Sequence, residues 1–364
     1  MNQTARTVLE WVLAQFRFEG KPVSCQPYGC GHINQTYLVE TEQGHRYIMQ
    51  KISENMAKDP SPLMRNISMV TEHLSKRSKE GEQVLTLIPT LEGKTYLADP
   101  SGNWRVYDYV EHSLCLQMPE SNEDFYESAV AFGRFEETLK DFPAEELTEV
   151  IPNFHNTPDR YRIFHEVLEK DPLGRAPEVQ KEIEFVLQRE KEMGILQKLR
   201  EMGELPVRVT HNDTKLNNVL LDQDSRKALC VIDLDTVMPG LSLYDFGDSI
   251  RYGASTAEED EQDLSKVELD LGKFRIYTRG FVKACPGLTE KELELLPMGA
   301  KTMTLECGMR FLTDYLDGDH YFAIHRERQN LDRSRTQFKL VADMERKWEQ
   351  MRQIVEEERN RSAY

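Results

Sequence analysis

His211-Asn212-Asp213-Thr214-Lys215-Leu216-Asn217-Asn218 decides how this chain is read. It carries the spacing H-x-D-x-x-x-x-N. Val231-Ile232-Asp233-Leu234-Asp235 follows and ends in two acids. Phosphoryl transfer asks little covalent chemistry of a protein. It needs a hydroxyl held in line and the phosphate charge neutralised. Asp213 is placed to orient and deprotonate the hydroxyl. Asn218 and Asp233 offer oxygen ligands to Mg²⁺, a hard ion that prefers them.

The flanks agree. Leu205–Thr210 reads as a β-branched strand running into the loop, and Asn218–Leu221 reads as a strand leaving it. Asp222–Lys227 is a polar turn. Ala228–Ile232 is a further strand that delivers Asp233. Strand, loop, hairpin and acidic strand end is the arrangement of a kinase catalytic centre.

Working outward, residues 21–110 read as strands with one helix over 63–74, and helices dominate from about 120. Strands are expected at 22–28, 36–41, 46–52, 85–89, 95–97 and 104–110. Helices are expected over 125–139, 161–168, 178–201, 264–283, 289–316 (broken at Pro297) and 331–361. The fold expectation is α+β: a two-lobed, protein-kinase-like molecule with an antiparallel β-rich N-lobe (1–110) and a mainly α-helical C-lobe (111–364). Asp108, Tyr109 and Val110 form the hinge whose backbone would read adenine.

The chain has 364 residues, 39% of them hydrophobic, and a net charge of −17. That charge argues against nucleic acid or an anionic membrane as partner. Cys25, Cys30, Cys115, Cys230, Cys285 and Cys307 are scattered without zinc-ligand spacing, which fits free thiols and a cytoplasmic location. The first nineteen residues read as an amphipathic helix rather than a signal peptide, and no apolar run is long enough for a membrane span. A monomer is compatible with all of this.

Tyr28-Gly29-Cys30-Gly31-His32-Ile33-Asn34-Gln35-Thr36 lies between two strands. Gly29 and Gly31 let backbone N–H groups approach phosphate, and Asn34 tolerates the dihedrals of a third glycine. Thr36 begins the next strand. The strand after that should carry a phosphate-pairing lysine. Gln50 stands in its place, Lys51 points to the opposite face, and Arg65 on the following helix is one candidate for the missing cation.

These motifs, with Asp245-Phe246-Gly247-Asp248-Ser249-Ile250-Arg251 and Glu306-Cys307-Gly308-Met309-Arg310-Phe311, resemble the aminoglycoside phosphotransferase/choline kinase-like superfamily, and within it the N-acetylhexosamine 1-kinase family. The resemblance spans nearly the whole chain. It implies ATP and Mg²⁺ as cofactors, and phosphorylation of the anomeric hydroxyl of N-acetylglucosamine or N-acetylgalactosamine. It implies Asp213 as base, Asn218 and Asp233 on metal, and Asp235 as a second metal or metal-water contact. His32, Tyr252, Arg310 and Tyr321 fall at positions resembling sugar contacts, with His32 near the 2-acetamido group. An Arg310–Asp314 salt bridge is the structural alternative for Arg310. The same fold acting on a neutral hexose, an amino alcohol or an aminoglycoside stays open, as does a non-catalytic nucleotide-binding protein.

Overall fold

The computed structural model describes residues 3–29, 34–54, 58–78 and 81–362. Gly31 and His32 lie outside the described residues. The N-terminal sheet is built from β1 (Pro22–Pro27), β2 (Gln35–Thr41), β3 (Arg46–Ile52), β4 (Leu97–Asp99) and β5 (Gly102–Asp108). Its order is β1-β2-β3-β5-β4, and every pair is antiparallel. Gly44, at φ 84°, supplies the positive dihedral that turns β2 into β3.

Period-two alternation gives the sheet two different faces. Val39, Tyr47, Met49, Trp104 and Val106 pack on Leu9, Val12 and Phe16, so helix α1 (Gln3–Leu13) and the turn after it cover one face. Lys51 belongs to that face, its ammonium 5.7 Å from the Trp104 ring centre. Ile48, Gln50, Ile52, Arg105 and Tyr107 belong to the other. Helix α2 (Ser61–Ser75) packs there through Leu63, Ile67, Val70 and Leu74. The same apolar cluster takes in Phe135, Leu139, Val209 and Leu234 from the helical half, so the two lobes share a core at the back of the cleft.

The chain leaves β5 and forms β6 (Ser113–Cys115), which joins the later hairpin of β8 (Val219–Asp222) and β9 (Ala228–Val231). Between them come α3 (Asn122–Thr138), α4 (Thr157–Lys170), α5 (Gln180–Leu187), α6 (Glu190–Met193), α7 (Ile195–Glu201) and β7 (Arg208–Thr210). Then follow β10 (Met238–Gly240), α8 (Ser242–Gly253), α9 (Leu271–Ala284), α10 (Glu290–Asp317), α11 (Gln329–Arg346) and α12 (Trp348–Ser362). The result is the two-lobed α+β kinase-like architecture.

Several elements differ from expectation. Residues 85–89 form an extended strip that bonds to β5 at two points, Ile88 N–H to Val106 O and Asp108 N–H to Thr86 O, both 2.9 Å. Pro89 has no N–H with which to continue the pairing. Pro297 does not break its helix: α10 runs through it. Leu293, Leu296, Ala300 and Met303 are buried on both sides of the proline, and that packing outweighs the lost hydrogen bond. The stretch 178–201 holds three short α-helices, and 264–283 is a single 3-10 turn at Leu264–Lys266 followed by α-helix from Leu271. The span 331–361 is two helices meeting at Lys347. In helix α8 residues 242–251 are all buried, the polar Ser242, Asp245, Asp248, Ser249 and Arg251 included.

Candidate active site

Strand β7 leads into the 211–218 loop, and α8 holds that loop from behind. Asp245 accepts the backbone N–H of His211 through Oδ2 and that of Asn212 through Oδ1, both at 2.7 Å. Asp248 accepts the Thr214 N–H at 3.1 Å. Thr214 Oγ1 donates to the Asp245 carbonyl at 2.5 Å, and Ser249 Oγ donates to the Thr214 carbonyl at 2.7 Å. These bonds fix Asn212 at φ 65°, a left-handed conformation that asparagine tolerates well. Burial pushes the Asp245 carboxyl up to about 6, opposed by the two backbone donors.

His211 is fully buried against Phe132 and Phe135. Its Nε2 faces the Ile232 carbonyl at 2.8 Å, and its Nδ1 accepts the Asp213 N–H at 3.3 Å. The carbonyl can only accept, so the ring proton sits on Nε2. Both nitrogens are engaged, one by the loop and one by the chain just before Asp233, so His211 ties the two segments together.

Asp213 keeps a partly open carboxylate. Lys215 Nζ lies 3.0 Å from Oδ1, and Asn218 Nδ2 donates to Oδ2 at 3.0 Å and to the Asp213 carbonyl at 2.7 Å. Burial alone would raise this carboxyl. The Lys215 ammonium and the Asn218 amide more than offset it, and Asp213 stays ionised below the usual carboxylate range. Lys215 had no role assigned from the sequence. Its signal was its place as the one cation in the loop.

Asp233, at φ 59°, opens to the cleft where β9 ends. Its carboxyl is pushed up to about 7 by desolvation and by the negative charge of Asp235 and Asp213. With Nδ2 committed to Asp213, Asn218 has Oδ1 left as a ligand atom. Among the described residues no group of three or more His, Cys, Asp or Glu has metal-binding geometry. The donor set fits Mg²⁺ even so. One carboxylate and one amide oxygen beside crowded negative charge, completed by substrate phosphates and water, is how proteins usually hold that ion.

Asp235 has other partners than the expected metal. It is buried, and its Oδ1 accepts from Arg105 Nη1 at 2.5 Å while Oδ2 accepts from Asn34 Nδ2 at 2.7 Å. Asn34 Oδ1 accepts the Ser53 N–H at 3.0 Å. Arg105 donates from Nε to Gln50 Oε1 at 3.0 Å, and Gln50 donates from Nε2 to Thr36 Oγ1 at 3.2 Å. Asn34, Thr36 and Gln50 are thereby brought together at the cleft, and Gly29 takes φ 77° at the head of the glycine turn. Arg65 is not the missing cation: it is exposed and donates to the Glu146 carbonyl at 2.9 Å. In the hinge, the Tyr109 N–H goes to the Arg46 carbonyl at 3.2 Å and the Val110 carbonyl accepts from Ser113 Oγ at 2.7 Å. The Asp108 carboxylate accepts from the Tyr109 N–H at 3.2 Å. The Tyr109 and Tyr28 hydroxyls meet at 3.3 Å, joining hinge and glycine turn.

The expected acceptor residues lie in the helical half. The Arg310 guanidinium stands 5.5 Å from the Phe154 and Tyr321 ring centres and 5.4 Å from that of Phe322. It also meets the Tyr321 hydroxyl at 3.3 Å. The Arg310–Asp314 pair does not form, because Asp314 accepts the backbone N–H groups of His320, Tyr321 and Phe322 and the Asn330 amide. Tyr321 is 67% exposed, a large aromatic left open to solvent. Tyr252 donates to the Gln117 carbonyl at 3.4 Å, on the Lys215 side of the loop. His155, absent from the sequence reading, ties the two regions together. Its Nε2 faces the Asn212 carbonyl at 3.1 Å and its Nδ1 stands 3.0 Å from Glu306, one turn before Arg310.

The fold recurs in solved structures. The chain is similar to a microcompartment-associated aminopropanol kinase (17% identity, TM-score 0.61, 95% of this chain and 98% of that one covered). It is similar to an amicoumacin kinase solved with AMP-PNP and Ca²⁺ (14%, 0.59, 93% of each). It is also similar to an aminoglycoside phosphotransferase from Alicyclobacillus acidocaldarius (13%, 0.58, 95% and 96%). No helix among the described residues is long and apolar enough to cross a membrane. The profile of the phosphotransferase enzyme family matches residues 24–280, from the first sheet strand through the 211–218 loop and Asp233 to α9. With the Asp213 loop, Asn218 and Asp233 inside that match, the chain belongs to the phosphotransferase enzyme family.

Proposed function

We propose that this phosphotransferase is an ATP- and Mg²⁺-dependent kinase that phosphorylates the anomeric hydroxyl of N-acetylhexosamines, giving the sugar 1-phosphate. The observation that carries the reaction type is Asp213, held ionised between Lys215 and Asn218 beside Asp233. Asp213 accepts the hydroxyl proton as the oxygen bonds to the terminal phosphorus of ATP and the bond to ADP breaks. An anomeric hydroxyl is more acidic than an ordinary alcohol, so a weak but well-placed base suffices. Asn218 Oδ1 and Asp233 hold Mg²⁺, which neutralises the nucleotide phosphates. Gly29, Gly31, Asn34, Thr36 and Gln50 frame the phosphate end of the nucleotide, and Asp108, Tyr109 and Val110 its base.

A neutral sugar acceptor is supported by what surrounds Arg310. Three aromatic rings and one guanidinium suit the C–H face and hydroxyls of a sugar. The Arg310 charge opposes a polycationic aminoglycoside. Tyr321 and Tyr252 complete the acceptor side in this reading, and His32 is assigned to the acetamido group on sequence resemblance alone. The test is turnover with MgATP across N-acetylglucosamine, N-acetylgalactosamine, glucose, galactose, choline and kanamycin, with products read by phosphorus NMR. An anomeric phosphate formed preferentially from the two acetamido sugars is the expected result. Preferred turnover of choline or kanamycin would discard the sugar assignment and keep the role of Asp213.

A further inference from the structure

Kinases of this architecture pair the nucleotide phosphates with a lysine on the third strand and steady that lysine with a glutamate from the following helix. This chain has neither group in its usual place. Gln50 occupies the lysine position on β3. The acid on α2 is Glu72, an exposed side chain paired with Lys76.

The register of the sheet brings a cation to the same spot from another strand. Gln50 on β3 is directly opposite Arg105 on β5, and opposite residues in an antiparallel pair project to one face. Thr36 on β2 is opposite Gln50 on its other side. Thr36, Gln50 and Arg105 form a hydrogen-bonded row across three strands on the cleft face. Arg105 then crosses to the helical half and pairs with Asp235, two residues beyond Asp233. The same Asp235 holds Asn34 of the glycine turn. A buried cation, a partner carboxylate and the phosphate-loop residues are thus joined in one network. The carboxylate comes from the strand end rather than from the helix. The bonds to Gln50 and Asp235 use two of the five N–H donors of the guanidinium.

We propose that Arg105 is the phosphate-pairing cation of this enzyme, and that Arg105–Asp235 replaces the lysine–glutamate pair. This rests on the nucleotide-dependent reading of the site above, and it holds whichever acceptor is used. The bland alternative is that Arg105 only neutralises the buried Asp235.

Nucleotide binding separates the two. Isothermal titration would give Kd for ATP (with Mg²⁺) and for adenosine in the wild type, in Arg105→Met, and in Arg105→Met/Asp235→Asn. The double variant removes the unpaired buried carboxylate that could unfold the single one. Loss of a charge-assisted contact to phosphate is expected to cost about ten-fold or more in the ATP-to-adenosine affinity ratio, with adenosine Kd unchanged, in the double variant as well as the single. An ATP-to-adenosine ratio in the double variant equal to that of the wild type would overturn the proposal and leave Arg105 a structural partner of Asp235. A wild type without preference for ATP over adenosine would overturn the nucleotide reading itself, and the inference with it.

Discussion

Asp245→Asn is the sharpest probe of how the 211–218 loop is held. The wild-type carboxylate accepts two backbone N–H groups, from His211 and Asn212, each at 2.7 Å. An amide of the same shape has one acceptor oxygen. Its NH₂ must face the second N–H, which leaves that buried donor unpaired. Charge-assisted bonds contribute about 1.5–3 kcal/mol, and an orphaned buried donor costs about 1–3 kcal/mol. The overlap of the two effects gives a loss of about 2–4 kcal/mol in folding stability. The strain falls on Asn212, held at φ 65°, and the next residue is Asp213. A displacement of about 1 Å at a reacting group costs on the order of 100-fold in rate. Urea unfolding and kcat should be measured together at a pH well above 6, where the wild-type carboxylate is ionised. Asp343→Asn is the control, since it disturbs a buried carboxylate bonded to Leu269 N–H and paired with Lys347, away from the catalytic loop. It should lower stability without lowering kcat. A change under about 1 kcal/mol in Asp245→Asn, or a kcat within two-fold of wild type, would refute the argument that these two bonds set the loop.

Asp213→Asn should lower kcat by about 10²–10⁴ while leaving the Kd values for nucleotide and acceptor within a few-fold, as single-turnover kinetics with calorimetry would show. Gly247→Ala should destabilise the protein by about 1–3 kcal/mol or more, read by urea unfolding. The new Cβ would stand 2.7 Å from the Gly299 carbonyl carbon, a backbone atom that cannot yield without parting α8 from α10. Asp343 should also shape the acid limb of stability. Burial raises its carboxyl, but Lys347, the Leu269 N–H and Arg346 bring it below the ordinary value. A depressed carboxylate stabilises fully above its unfolded value of about 3.9 and loses that contribution as pH falls through the folded value. The stability gap between wild type and Asp343→Asn should therefore narrow below about pH 4, and a gap constant from neutral pH to pH 2 would contradict it.

Much of this molecule was legible because the determinants are local. Asp213, Lys215 and Asn218 lie in one eight-residue loop, so spacing alone puts a carboxylate, a cation and an amide together. Period-two alternation placed β2, β3 and β5, and it put Lys51 on the face away from Gln50. What escaped sequence reading depends on packing. Pro297 reads as a break until the burial around it is seen, and the buried polar side chains of α8 find their partners only in the packed loop.

The sequence by itself determined that a phosphoryl-transfer loop and its acidic partner exist, because their chemistry sits in short, ordered runs. Only the tertiary structure decided what surrounds them. Arg105 meets Gln50 through strand register, and Asp235 turns toward Arg105 and Asn34 across the two lobes. His155 reaches Asn212 from 57 residues away, and Arg310 finds three aromatic rings in place of Asp314. Those contacts join residues far apart in the chain, and they are fixed by sheet register and helix packing rather than by local spacing.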